Sequence, residues 1–181
     1  MQNYKGFTLL ELMVTLSIVG ILLAVAVPAS RNFQANIRVK TTSDSFVSVL
    51  KAARSQAMID RRHNTVVSRN TATGNTSWGG SGWLVTEQVN GATVKMREIT
   101  NLPNSITIES NPGLSGFRFE AITGMAQQND AGGTALVLAN GSVRFRVCDS
   151  GSQVEIGRDI LINQFGRILV RNHADASVCN P

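Results

Sequence analysis

Lys5-Gly6-Phe7-Thr8-Leu9-Leu10-Glu11 is the stretch that decides how the rest of this 181-residue chain is read. From Phe7 to Val27 nearly every residue is apolar or small, and Glu11 is the one charge among them. About 21 residues in a helix rise roughly 31 Å, the thickness of the hydrocarbon core of a bilayer. A carboxylate inside such a span costs about 2.5–3.5 kcal/mol on insertion scales, so it calls for a partner. Cleavage after Gly6 would create one, because the new α-amine of Phe7 lies four residues before Glu11. That amine, in the same or a neighbouring chain, can neutralise the carboxylate. An ordinary secretory signal would be cut after Ala24-Val25-Ala26, leaving a chain that starts at Val27. It would carry Glu11 inside its apolar region, with Lys5 alone supplying positive charge ahead of it. A plain anchor explains the length, but neither Glu11 nor the Gly6-Phe7 junction.

Gly20 lies inside the apolar span and Pro28 just past it. Proline removes a backbone donor and can bend a helix without ending it. Beyond Pro28 the periodicity stays helical. Val39, Ser43, Phe46, Leu50, Ala53 and Ala57 recur at steps of four and three, which draws one stripe along an amphipathic helix. Lys40, Asp44, Lys51 and Arg54 fall off the stripe and are expected in solvent. The helix is expected to end near Asp60-Arg61-Arg62, where basic residues suit the negative end of its dipole.

After His63 the pattern changes to short β segments. Strands are expected near Thr65–Ser68, Trp83–Thr86, Val94–Ile99, Ile106–Glu109, Phe117–Glu120, Ala135–Ala139, Val143–Val147, Ile160–Asn163 and Ile168–Arg171. Asn90-Gly91 and Asn140-Gly141 predict tight hairpins. Asn70 to Gly82 is polar and glycine-rich and reads as a mobile loop. Glu87, Glu98, Glu109 and Glu120 are expected on solvated strand faces. The fold class is α+β: a long N-terminal helix, its first half membrane-spanning and its second half amphipathic, packed on a mostly antiparallel sheet.

The length allows one domain beyond the anchor. The formal net charge is +5, and loss of Lys5 with a leader would leave 16 basic against 12 acidic side chains. That excess suits an anionic partner without requiring one. The two cysteines, Cys148 and Cys179, are too few for a zinc site. They fit either one disulfide in an oxidising compartment or two buried thiols. A disulfide closing that loop would contribute about 3–4 kcal/mol and tie the C-terminal tail to the sheet. His63 and His173 have no metal-ligand spacing, and Gly79-Gly80-Ser81-Gly82 lacks the lysine of a phosphate loop. No catalytic constellation and no cofactor motif is read from the sequence.

The run Gly6-Phe7-Thr8-Leu9-Leu10-Glu11-Leu12, followed by an apolar helix reaching Pro28, resembles the class III signal of type IV pilins and pseudopilins. The resemblance implies that a prepilin peptidase cleaves after Gly6 and N-methylates Phe7. It implies that Glu11 guides the subunit into a filament by meeting a neighbour's N terminus, and that Gly20 and Pro28 let the helix loosen on assembly. Ala53-Arg54-Ser55-Gln56-Ala57, Gly82-Trp83-Leu84-Val85 and Ile160-Leu161-Ile162-Asn163-Gln164-Phe165-Gly166-Arg167-Ile168 are similar to the GspH/FimT family. On this reading residues 1–6 are a leader, 7–28 the transmembrane and assembly helix, 29–62 the amphipathic helix and 63–181 a β-rich head.

Cys148 and Cys179 resemble the cysteine pair of FimU-like minor pilins. The implied function is a minor pilin, held in the inner membrane with a periplasmic head and then joined to other minor and major pilins in the priming or tip complex of an extracellular pilus. A GspH-like pseudopilin of a type II secretion system is the alternative within the family. A further alternative is DNA uptake, since FimT-type members bind DNA through a Gly-Arg-x-Arg motif. Here Gly166-Arg167-Ile168-Leu169 keeps the first arginine and lacks the second. Arg171 would share a strand face with Arg167 and Leu169 at roughly 13 Å, with Ile168 and Val170 facing the core. Arg144 and Arg146 alternate with Val143, Phe145 and Val147 and give a second outward pair.

Overall fold

The computed structural model describes residues 7–62, 64–68, 78, 82–89, 92–100, 102–111, 114, 116–129, 135–138, 141–149, 156–173 and 179. The leader with Gly6, His63, the Asn90-Gly91 pair and most of the Asn70–Gly82 segment lie outside the described residues.

One helix, α1 (Leu9–Asp60), runs for 52 residues, about 78 Å at 1.5 Å per residue. Thr8 caps it, its Oγ1 accepting from the backbone N–H of Glu11 at 3.2 Å. Thr8-Leu9-Leu10-Glu11 thus has the spacing of a capping box, with an acid in the first turn where the helix dipole is positive. At the far end Arg61 adopts a left-handed conformation (φ 55°) and closes the helix. The helix ends at Asp60, as expected, and the basic residues fall just past it, Arg61 as the C-cap and Arg62 next, with none inside the last turn.

Among the described residues ten strands follow, arranged in two antiparallel sheets. The first six-stranded sheet begins with β1 (Asn64–Ser68), β2 (Trp83–Val89) and β3 (Ala92–Ile99). β4 (Ile106–Asn111) belongs to the second sheet, and β5 (Gly116–Phe119), β6 (Ala126–Asn129) and β7 (Ala135–Val137) return to the first. β8 (Ser142–Asp149), β9 (Ile156–Asn163) and β10 (Ile168–His173) complete the second. The strand orders are β3-β2-β1-β5-β6-β7 and β10-β9-β8-β4.

The predicted stripe is the helix face that meets the sheets. Val39, Ser43, Phe46, Leu50, Ala53 and Ala57 are all buried, joined by Ala35, Val47 and Val49. Phe46 sits at the centre of an aromatic cluster drawn from all layers. Its ring lies 4.8 Å from Trp83 on β2, 5.1 Å from Phe145 on β8 and 5.9 Å from Trp78. Phe117 on β5 packs 5.4 Å from both Phe119 and Phe145, so the two sheets meet through the same cluster.

Several expectations are corrected. Trp78, within the stretch read as a mobile loop, is fully buried; its indole N–H donates to the Leu114 carbonyl at 2.7 Å and its backbone N–H to Ile108 at 2.8 Å. A polar neighbourhood concealed one aromatic anchor that covers the edge of β4. Asn140-Gly141 does not close a hairpin, because β7 pairs with β6 while β8 pairs with β4 and β9. The turn is real, with Gly141 at φ 67° and its N–H donating to Leu138 at 2.8 Å, but it carries the chain from one sheet to the other. β6 has no apolar alternation to betray it. Glu87 is 7% exposed and not on a solvated face, because it shares strand parity with Trp83 and Val85; Arg62 stands 3.6 Å from its carboxylate.

Arg38 fastens the base of the head to the helix. Its Nε donates to Asp149 Oδ2 at 2.7 Å, and Ser105 Oγ lies 3.3 Å from the same oxygen, which is buried at the end of β8. The hydrogen bond to Asp149 raises the Arg38 pKa, burial opposes it, and the carboxylate's charge adds to the rise. At the opposite strand face the Cys148–Cys179 disulfide lies over Gly157, where a Cβ would come within 2.6 Å of the Cys179 sulfur.

Phe46→Ala is expected to cost about 3–5 kcal/mol in denaturant unfolding, the usual loss for a buried ring with a cavity left behind. A loss under about 1 kcal/mol would contradict the central position of that ring. Arg38→Met is expected to cost roughly 2–3 kcal/mol, less than a fully buried pair, because a third of the Arg38 side chain is exposed. Gly157→Val should leave Cys148 and Cys179 partly reduced, measured as alkylated thiols by mass; complete oxidation would contradict the packing.

Candidate assembly surfaces

The first surface is the N-terminal half of α1. Phe7, Leu9, Leu10, Met13, Leu16, Ile21, Leu22 and Val25 are all exposed, on every side of the helix, and no part of the head covers them. This segment is long and apolar enough to cross a membrane. Its few polar groups are satisfied locally: Thr15 Oγ1 donates to the Leu12 carbonyl at 2.9 Å and Ser17 Oγ to Met13 at 2.8 Å. A hydroxyl bonded to its own helix needs no water, which suits an apolar medium. Gly20 has open space around it, and α1 continues through Pro28. Glu11 is exposed, one turn in from the cap. The T-x-x-E spacing of Thr8 and Glu11 also gives this acid a local place at the helix cap.

The second surface is the outer face of the four-stranded sheet. The register places Glu109, Arg146, Asp159 and Arg171 in one row across β4, β8, β9 and β10. Asp159 is largely buried; Arg146 Nε donates to its Oδ1 at 3.2 Å, and Arg144 Nε lies 3.9 Å from its Oδ2. The two arginines read as outward bases therefore converge on an acid. Charges of opposite sign directly across a sheet stabilise it by up to about 1 kcal/mol per pair. Arg167 does not lie on the strand with Arg171: it precedes β10, in the turn, where its N–H donates to Asn163 Oδ1 at 2.8 Å. Val170, expected in the core, is 36% exposed because β10 is the sheet edge, and Ile168 alone packs on the core.

The third surface lies at the C-terminal end of α1, where the turn holding Gly124 and the turn holding Phe165 meet the helix. Arg54, expected in solvent, reaches both. Its Nε donates to the Gly124 carbonyl at 3.1 Å and its Nη2 to Phe165 at 3.0 Å. Gln164 extends the junction, its N–H donating to Gly141 at 2.8 Å and its carbonyl accepting from Ala126 at 3.0 Å. Gly166 has φ 74°, and a Cβ there would stand 2.2 Å from the Gly124 carbonyl oxygen, so only glycine fits. Beside this junction opens a cleft of about 430 Å³, lined by Lys51, Arg54, Ser55, Met58, Gly166, Arg167 and Ile168. Two stretches singled out in the sequence, Ala53–Ala57 and Ile160–Ile168, thus face one another here.

Comparison with known proteins agrees with this architecture. Residues 1–27 match the prokaryotic N-terminal methylation motif, and residues 42–163 match the family described as type II transport protein GspH. Two curated relatives from Pseudomonas aeruginosa, each described as a fimbrial protein, are 43% identical over 60 residues, 33% of this chain and 38% of theirs. The chain thus matches less than half the length of those relatives. Two crystal structures of the type IV minor pilin FimU from Pseudomonas aeruginosa share the fold at 17% identity, with TM-scores of 0.54 and 0.57. They cover 76% and 80% of this chain and 98% of their own. With a methylation motif heading an apolar helix, a head of pilin fold and a family match over most of the head, this chain belongs to the GspH family.

Proposed function

We propose that the chain is a minor type IV pilin, a structural subunit that a prepilin peptidase processes and that then enters the pilus. The observation that carries this reading is the division of α1: apolar and exposed on all sides before Pro28, one-sided and packed into the head after it. An apolar half without a covering layer needs a second solvent. The inner membrane supplies it first, with the head in the periplasm, and packed helices of other minor and major pilins supply it next. Cleavage after Gly6 would leave Phe7 as the terminal residue, one position before the Thr8 cap. Its amine would then stand within the first turn's reach of Glu11, on the same chain or a neighbouring one. Gly20 and Pro28 would let the helix yield as the subunit leaves the membrane, since proline 28 withdraws a donor from the ladder. The Cys148–Cys179 bond accords with a head outside the cytoplasm.

A pseudopilin of a type II secretion machine is the second reading, favoured by the description of the matching family. Both readings share the processing and assembly chemistry and differ in the machine that the subunit serves. The DNA-uptake reading draws less support, because Arg144 and Arg146 are directed at Asp159.

Glu11→Val is expected to leave peptidase cleavage intact and to reduce the number of pili counted by electron microscopy. Wild-type piliation in that variant would contradict the assembly role of Glu11.

A further inference from the structure

The cleft at the end of α1 is lined by the basic side chains of Lys51, Arg54 and Arg167 together with the apolar Met58 and Ile168. Lys51, Arg54, Ser55 and Met58 lie at helical steps of three and four, so they share one exposed flank of α1. Arg167, in the turn between β9 and β10, and Ile168, the first residue of β10, line the cleft opposite them. Arg54 is already committed to two carbonyls. Lys51 and Arg167 are exposed, and neither side chain has an acidic partner among the described residues. Among the described residues no carboxylate lines the cleft.

The adjoining turns add a second feature. Phe165 is 61% exposed beside Gly166, and Ile122 is 69% exposed on the neighbouring turn. Ile122 has φ 71°, a conformation that a β-branched residue rarely adopts, and its N–H points at the Ala57 carbonyl, 3.5 Å away. Strained and solvent-exposed apolar residues clustered around a concave basic spot are features of a binding surface.

We infer that this cleft receives a carboxylate borne on an apolar segment of a neighbouring protein subunit, an inference that rests on the filament-subunit reading above. Lys51 and Arg167 supply charge-assisted hydrogen bonds, Ser55 adds a hydroxyl, and Met58 and Ile168 cover the stem of the acidic side chain. Arg54 is a positioning residue that holds the turn carrying Arg167. Two exposed cations lining one cleft suit a single anionic group. A phosphodiester backbone needs a continuing track of cations, and the strand arginines Arg144 and Arg146 are drawn to Asp159.

The test uses the full chain purified in non-ionic detergent and a fluorescent peptide, acetylated and amidated, with one glutamate between leucines. Its glutamine counterpart and a DNA duplex form the other arms. The glutamate peptide should bind, with affinity about tenfold weaker for the glutamine peptide and for Arg167→Glu. Arg171→Glu, on β10 outside the cleft, should bind as wild type. Unchanged melting and full oxidation of Cys148 and Cys179 would show that Arg167→Glu folds, and Lys51→Glu serves as the independent second variant. No binding of the glutamate peptide, or binding indifferent to the carboxylate or to Arg167, would overturn the inference. Displacement of the peptide by the duplex would also overturn it, in favour of nucleic acid. None of these outcomes bears on filament entry, which the piliation of the Glu11 variant reads separately.

Discussion

A single uninterrupted helix here has to be stable in two different surroundings. Its first half offers apolar side chains on every side, and its second half offers them on one. Everything else in the fold follows from that change of pattern near Pro28. The one-sided half needs a cover, and two antiparallel sheets provide it. Phe46 is the point at which helix and both sheets meet, in ring contacts with Trp83 and Phe145 between 4.8 and 5.1 Å. Burial of apolar surface at roughly 25 cal/mol per Å² is the main term holding such a head together. The all-round half gains none of it within the subunit.

The ends of the packed half are held by polar contacts with geometry that hydrophobic burial lacks. At the lower end Arg38 meets Asp149, and at the upper end Arg54 meets the carbonyls of Gly124 and Phe165. These bonds set the rotation of the helix against the sheets, so the cleft beside Arg54 has a defined shape. The upper turns come from both sheets, which makes that end the place where the layers are joined rather than merely stacked.

Much of this was legible in the sequence. The stripe from Val39 to Ala57 is a periodicity signal, and burial by one face is what such a signal means. The strands rich in β-branched residues were also visible, as was the disulfide as one of two options for Cys148 and Cys179. What escaped has physical reasons. β6, Ala126–Asn129, is mostly polar and owes its conformation to pairing with β5 and β7, not to its own residues. Asn140-Gly141 encodes a turn, but turn chemistry does not say whether the next strand pairs with the last or leaves for another sheet. Glu87 looked solvated by residue type, whereas its parity with Trp83 and Val85 put it inside. Arg54 lies off the apolar stripe and is nevertheless used, because a long side chain reaches past the edge of the buried face. The pairing of Arg144 and Arg146 with Asp159 required the register of β8 on β9, which no local pattern reveals.

The account depends most on the claim that the apolar half of α1 starts with a free, newly made amine next to an acid in an oily span. Intact-mass and N-terminal analysis of protein isolated under non-reducing conditions from its native host tests that directly. The account predicts a chain beginning at an N-methylated Phe7, with Cys148 and Cys179 oxidised. A chain that retains residues 1–6, or one that begins well downstream at Val27, would contradict it.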